Sequence, residues 1–378
     1  MKKVVRVVAS PLYLDMFLRE QMLFLSKHYE IVGVASPGKE HSVIRSKGIR
    51  TVEINIERPI RIWQDIKSLW NLYLFFLKEK PDIVHSLTPK AGLLSMIAAW
   101  LARVPVRIHT FTGLLFPWKK GLMHCILKAT DFFTCLFATY INPEGEGVKQ
   151  QLLDSGITKK QLNIIANGHL RGIDPKRYTA KGTKDSYRTK LNISQDSLVF
   201  VFTGRLTRDK GIVDLQIAFE KLLAEKSNVH LLLLGEQEPK HDPLPETCRQ
   251  WLEQNPAVHM VGHVNNVPEW LEIADIFVFP SHREGLPSAL LEACAAGLPS
   301  IATDICGCQE IICNGFNGVL VPPHCPDELY RAMSRLSLYR TEELVILGKQ
   351  AQSFVFERYS SHHINQALLS LYHNLSNK

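Results

Sequence analysis

At 378 residues the chain is too long for one ordinary core and fits two domains of typical size. Hydrophobic residues at 46% and charged ones at 21% mark a globular protein and exclude a fibrous or low-complexity chain. The net charge of +7 is uneven: residues 1–178 hold 26 Lys and Arg against 14 Asp and Glu, net +12, whereas residues 179–378 hold 18 against 23, net −5. The amino-terminal half is therefore the one suited to an anionic surface. It carries no nucleic-acid motif and no basic-aromatic interleaving, so a phospholipid surface is expected and nucleic acid is not.

In chain order, MKKVVRVVASPLYL has a basic start but only a short apolar run, and reads as a first strand rather than a signal peptide. Strand patterns follow at YEIVGVAS, TVEINI, IVHSLT, VRIHTFTG and TYINPE, with helical spacing near 14–27, 61–80, 90–102 and 119–138. From 167 to 192 periodicity is lost and charge, glycine and proline accumulate, which marks a domain boundary. A second series then runs LVFVFTG, VHLLLLG, VHMVGHV, IFVFPS, PSIAT and GVLVP. Two successive βαβ series predict an α/β protein of two Rossmann-like, doubly wound domains facing across a cleft.

The longest apolar stretch, residues 121–140, holds Lys128 and Asp131 in its middle, which argues against a spanning helix. It and the aromatic segment 61–80 are either core-packing helices or helices lying on a bilayer. The eight cysteines are scattered, and the Cys306, Cys308 and Cys313 group lacks a second ligand pair. Reduced thiols in a cytoplasmic protein are expected.

The chemistry concentrates in the second half. In TGRLTRDKGIVDL, Gly204 permits a tight exit from the strand, and Arg205 and Lys210 stand near the start of the next helix, where free N–H groups and the helix dipole favour anions. Two fixed cations there suit a diphosphate. The segment EGLPSALLEA closes another strand of the same domain. It places Glu284 in the loop and Glu292 in the following helix, on a face that can look back toward it. Glu284 would accept hydrogen bonds from sugar hydroxyls, Glu292 would take the vicinal hydroxyls of a ribose, and the backbone N–H groups of Gly285 and Leu286 would face a phosphate or hydroxyl. The bland alternative, a surface glutamate and an ordinary helix glutamate, accounts poorly for an acidic residue within SALLEACAAG.

These residues resemble the retaining glycosyltransferases of the GT-B fold, family 4, of the bacterial surface-polysaccharide type. The resemblance rests on HREGLPSALLEACAAGLPSIAT with its glutamate, seven residues and second glutamate. It rests also on GRLTRDKG, on VGHVNNVPEWLEIADIFVFPS and, in the first half, on KPDIVHSLTPKAGLLSMIAAWLARVPVRIHTFTG. It implies that Arg205 and Lys210 hold the donor diphosphate, Glu284 the donor sugar, Glu292 the ribose, and the backbone near Gly262 and His263 the base. It also puts His109 of IHTFTG at a histidine position that contacts donor sugar or acceptor; a satisfied buried histidine is the alternative. The chain departs from the family's glycine-rich first loop, having ASPLYLDMF instead, where Tyr13 and Asp15 are candidates for acceptor binding.

The resemblance further implies an acceptor-binding domain at 1–178, a nucleotide-sugar domain at 179–355, and a helix at 356–378 packing back on the first domain. The implied activity moves a sugar, most often from a UDP-sugar, to a lipid-linked saccharide in capsule, O-antigen or exopolysaccharide assembly. It retains configuration and would take place at the inner face of the cell membrane, with the protein bound peripherally. No Asp-x-Asp pair is present, so neither a metal nor another cofactor is expected. A UDP-sugar 2-epimerase and a non-catalytic sugar-nucleotide sensor are the rivals on the same fold. A dehydrogenase is excluded by the lack of G-x-G-x-x-G after an early strand.

Overall fold

A computed structural model describes residues 1–57, 59–179, 181–239 and 242–377. Ala180 of the expected boundary segment and Lys378 of the expected terminal helix lie outside these. The chain divides into two compact units, residues 1–172 with 361–378, and residues 173–360. The division falls at Gly172/Ile173, ahead of the expected position after residue 178, and the second crossing falls at Ser360/Ser361.

Unit 1 is built on six parallel strands: β1 (Lys3–Val7), β2 (Glu30–Ala35), β3 (Arg50–Glu53), β4 (Ile83–Leu87), β5 (Val106–Phe111) and β6 (Tyr140–Pro143). They lie in the order β3-β2-β1-β4-β5-β6. Unit 2 repeats the pattern with β7 (Leu198–Thr203), β8 (Val229–Leu234), β9 (Val258–Gly262), β10 (Ile276–Phe279), β11 (Ser300–Thr303) and β12 (Gly318–Val321), ordered β12-β11-β10-β7-β8-β9. The central strands are apolar on both faces, as helices covering both sides of a parallel sheet require; β4 and β10 are buried along their whole length. In each unit the strand order reverses once, between β1 and β4 and between β7 and β10. Loops leaving adjacent strands there run in opposite directions and open a crevice at the carboxyl ends of the strands.

The terminal helix Ser361–Ser376 belongs to unit 1, and a buried polar chain anchors it there. The Tyr372 hydroxyl lies 2.7 Å from Nδ1 of His85, whose Nε2 is 2.7 Å from Oγ1 of Thr110, which also accepts from Asn142 at 3.0 Å. Burial pushes the His85 imidazole well below its usual range, with the nearby Arg6 charge acting the same way, so the ring is neutral. In unit 2 the guanidinium of Arg188, 1% exposed, donates to the carbonyls of Ile273, Gln195 and Ser197 and to Asp275 at 2.8 Å. Asp275 in turn accepts from the amide of Val199 at the start of β7, which ties the strand to its neighbours.

Among the described residues no helix is long and apolar enough to cross a membrane. The helices Ile62–Glu79 and Gly121–Phe137 each pack one narrow face: Ser68, Leu72 and Phe76 on the first, Asp131, Thr134 and Cys135 on the second. Their other faces expose Trp63, Ile66, Trp70, Leu122, Phe132 and Phe133 among others, so both helices are core-packing on one side and apolar to solvent on the other. All eight cysteines are free. Burial raises the thiols of Cys306, to about 11, and of Cys308, so both stay protonated at neutral pH.

Candidate active site

The crevice of unit 2 brings Lys210 and Glu284 together, two of the residues singled out by spacing. Three glycines close the three adjacent strands β7, β8 and β9. The amide of Gly204 donates to the carbonyl of Leu234 and that of Gly235 to the carbonyl of Gly262, both at 2.9 Å, so the exits of the strands are stacked against one another. Gly211, at φ +71°, ends the loop after β7; a Cβ there would lie 2.0 Å from the carbonyl oxygen of Pro280. That contact presses the β7 loop onto the β10 loop, and it tolerates only glycine. Gly307 does the same on the far side, where a Cβ would sit 1.8 Å from the carbonyl oxygen of Gly285.

The two loops carry the paired charges. Lys210 Nζ meets Glu284 Oε1 at 2.5 Å, with side chains only 17% and 13% exposed, and the ammonium lies 5.9 Å from the Phe279 ring centroid. Arg205 is more open. It pairs with Glu238 at 2.8 Å and reaches Asp209 at 3.7 Å. Asp209 is the hub of this group. Its carboxylate accepts from Thr207 at 2.5 Å and from Arg283 at 2.8 Å, and its backbone amide donates to Asp242 at 2.8 Å. Burial pushes the Asp209 carboxyl upward, but the Thr207 hydrogen bond and the charges of Arg283, Lys210 and Arg205 outweigh it and hold the group ionised below its ordinary range.

Glu292 lies in the second turn of the helix Ser288–Ala295, half-buried, and Gly285 is half-buried in the loop before it. Leu286 sends its side chain into the core, so only its backbone is available to a ligand. The helix itself begins at Ser288, after Pro287. Gly262, at φ +79°, ends β9, and His263 beyond it is exposed.

His109 belongs to β5 in unit 1 and is 1% exposed. Its Nδ1 is 2.8 Å from Oγ of Ser86, its ring meets Phe111 edge-on, and it fills the space that a side chain at position 92 would need: a Cβ on Gly92 would lie 2.3 Å from the imidazole. Burial drives its pKa down to about 3, so it is a neutral, packed histidine. Asp15 pairs with Arg19 at 2.8 Å, and Tyr13 stacks on Phe17.

Spacing missed Asp209, Arg283 and Glu238, which partner the expected cations. It also missed a second group, Asp214, His282 and His324. His282 Nε2 is 2.8 Å from Asp214, the two imidazole rings are 3.7 Å apart, and one ligand atom from each residue falls within 4.8 Å of the others, close enough to share a metal ion. The hints were a histidine beside Glu284 and an aspartate in the first turn after Lys210; the loop that brings His324 to them gave no sign of it.

The chain matches the family model for group 1 glycosyl transferases over residues 183–354 and that for the glycosyl transferase 4-like domain over residues 14–168. It is 31% identical over 363 residues to the capsular polysaccharide biosynthesis glycosyltransferase CapM of Staphylococcus aureus, covering 94% of this chain and 93% of that one. It is 30% identical over 289 residues to the UDP-Gal:alpha-D-GlcNAc-diphosphoundecaprenol alpha-1,3-galactosyltransferase of Escherichia coli, covering 74% and 72%. In fold it is similar to the crystal structure of Anabaena HepE in complex with UDP and glucose, with a TM-score of 0.83 at 18% identity over 99% of this chain and all of that one. A two-domain α/β enzyme of the GT-B type is thus defined. The chain belongs to the family 4 glycosyltransferases. That membership decides against the epimerase and sensor readings.

Proposed function

We propose that this glycosyltransferase moves a sugar from a nucleoside diphosphate, with UDP the favoured carrier, to a saccharide on a lipid diphosphate in surface-polysaccharide assembly. It would retain configuration, need no metal, and work while bound peripherally at the inner face of the cell membrane. The observation that carries the reading is the Lys210–Glu284 pair, held where the strand order of unit 2 reverses. The relatives CapM and the galactosyltransferase of Escherichia coli, which by its name uses UDP-Gal and a diphosphoundecaprenol-linked acceptor, support the substrate classes.

In this scheme the diphosphate occupies the loop Gly204–Gly211, with Lys210 and Arg205 as its cations. Both are already oriented by carboxylates, so the donor exchanges partners with them rather than ordering free side chains. Glu284, released from Lys210, accepts hydrogen bonds from donor-sugar hydroxyls. Glu292 takes the ribose hydroxyls, and the backbone at Gly262 and His263 borders the base. The acceptor oxygen bonds to the anomeric carbon on the face from which the phosphate oxygen departs. The acceptor's proton passes to that oxygen, and Lys210 and Arg205 stabilise the charge left on the diphosphate. His109, neutral and enclosed within β5, relays no proton to or from substrate in this scheme.

The test is a calorimetric panel of UDP, GDP, ADP and CMP on the wild type and on Glu292→Ala. The reading expects one diphosphate to bind tightly and to be weakened by the substitution. Lack of binding by all four would remove it.

A further inference from the structure

Asp214, His282 and His324 come from three segments of unit 2 that each follow a strand. Asp214 lies in the first turn of the helix Ile212–Glu225 after β7, His282 in the loop after β10, and His324 in the loop after β12. The first two are anchored. The amide of His282 donates to the carbonyl of Asp209 at 2.8 Å, and the carbonyl of the preceding Ser281 accepts from Oγ1 of Thr303. Asp214 follows closely on Gly211, whose approach to Pro280 presses the same two segments together. His324 stands at φ +58° in the sequence Pro322-Pro323-His324-Cys325-Pro326, where the prolines restrict the backbone on both sides of it.

The charges around this group are uneven. Asp209, Glu238 and Glu284 in the same unit each pair with Lys or Arg, whereas among the described residues the side chain of Asp214 meets only His282. His324 has no hydrogen-bond partner among the described residues and lies against the His282 ring, centroids 3.7 Å apart. A zinc ion stands about 2.0–2.1 Å from an imidazole nitrogen and about 2.0–2.2 Å from a carboxylate oxygen, so its ligand atoms lie within about 4 Å of one another. His282 Nε2 and Asp214, 2.8 Å apart, already meet this limit. One ligand atom from each of the three residues falls within 4.8 Å of the others, and rotation of the exposed His324 ring closes the remainder. Two imidazoles and a carboxylate suit zinc and similar ions rather than magnesium or calcium, which take oxygen ligands.

We propose that Asp214, His282 and His324 bind one divalent transition-metal ion, zinc, as a structural clip of unit 2, with a fourth position open to water. The ion ties the helix after the Lys210 loop to the loop that carries Glu284 and to the β12 loop, segments remote in the chain whose closure a metal stabilises. The transfer proposed above does not pass through this ion. Zinc acts here on stability, and the chain stripped of it keeps its chemistry.

The test uses the full chain without a histidine tag, stripped with EDTA and dialysed. Calorimetry is expected to show one zinc bound per chain with a micromolar Kd or tighter, undisturbed by excess magnesium. Cobalt, a spectroscopic probe of the same ligands, should give visible d–d bands without a near-ultraviolet thiolate band, since nitrogen and oxygen hold it. His324→Ala and Asp214→Asn should each weaken zinc at least about tenfold. Zinc at about a hundred times its Kd should raise the unfolding temperature of the wild type by roughly 5 °C and leave that of His324→Ala unmoved. His324 is exposed, so the variant should unfold at the same temperature as the stripped wild type, which separates loss of the site from loss of the fold. Binding no tighter than millimolar, equal zinc affinity in wild type and His324→Ala, or a thiolate band from the free cysteines would each overturn the inference. The two proposals fail separately: absence of zinc binding leaves the transferase reading intact, and absence of nucleotide binding leaves the zinc site intact.

Discussion

Lys210 and Glu284 are 74 residues apart in the chain and 2.5 Å apart in space, joined across the loops of the two strands between which the order of the second sheet reverses. The pair brings a cation suited to a leaving diphosphate against a carboxylate suited to a sugar. Removing either partner leaves the other charge mostly buried and unmatched.

Glu284→Gln keeps the shape of the site and removes the charge. It should lower kcat by about two to three orders of magnitude, while the Kd for the free nucleoside diphosphate changes only severalfold, since the diphosphate is held by the cations. Lys210→Ala should raise that Kd and lower kcat together. Steady-state kinetics with a direct Kd for the diphosphate separates the two. An unchanged kcat in Glu284→Gln would take Glu284 out of the chemistry.

Gly211→Ala places a methyl 2.0 Å from the carbonyl oxygen of Pro280 at a positive φ, so the two loops must part. The expected result is a protein that still folds, its core lying elsewhere, but binds the diphosphate at least about tenfold more weakly. Circular dichroism and calorimetry on the same preparation check both halves.

Asp131, buried in the helix Gly121–Phe137, has its carboxyl pushed up to about 7 by burial. Folded, it keeps its proton through a range where the unfolded chain has lost it. The native state therefore binds more protons between about pH 4 and pH 7, and stability falls across that window. Above pH 7 both forms are ionised and no more is lost. The total is on the order of 4 kcal/mol at a shift of about three pH units. Asp131→Asn should flatten this slope in denaturant titrations from pH 5 to 8 and raise the midpoint at pH 8. An unaltered slope would mean that another group sets it.

The transfer is expected to survive EDTA and to gain nothing from magnesium. If instead a chelator abolishes activity and zinc restores it, Asp214, His282 and His324 are the residues to replace first, and His324→Ala, in an exposed loop position, should reproduce the chelator's effect.

The twelve strands among the described residues are legible in the sequence, because a strand buried on both faces advertises itself as a short apolar run bounded by glycine, proline or polar residues. The strands were in place to within a few residues, and so were the helices 61–80, 90–102 and 119–138, found at Ile62–Glu79, Pro89–Leu101 and Gly121–Phe137. The expected helix at 14–27 is split into a π-helical segment Leu14–Leu18 and an α-helix Arg19–Leu25.

Sequence alone also determined which loops carry charge, since Arg205 and Lys210 follow the end of β7 within seven residues and Glu284 and Glu292 follow the end of β10 within thirteen. It could not pair them. Which loops meet depends on the order of strands in the sheet, and only that order sets Lys210 against Glu284, Arg205 against Glu238, and Asp209 between Arg205 and Arg283. The state of His109 was equally beyond reach, because burial comes from the Pro89–Leu101 helix lying over it at Gly92, a contact that local spacing does not encode. Periodicity is written in neighbouring residues and survives reading one at a time. A site is written in distances between residues remote in the chain, and those exist only once the sheets have closed.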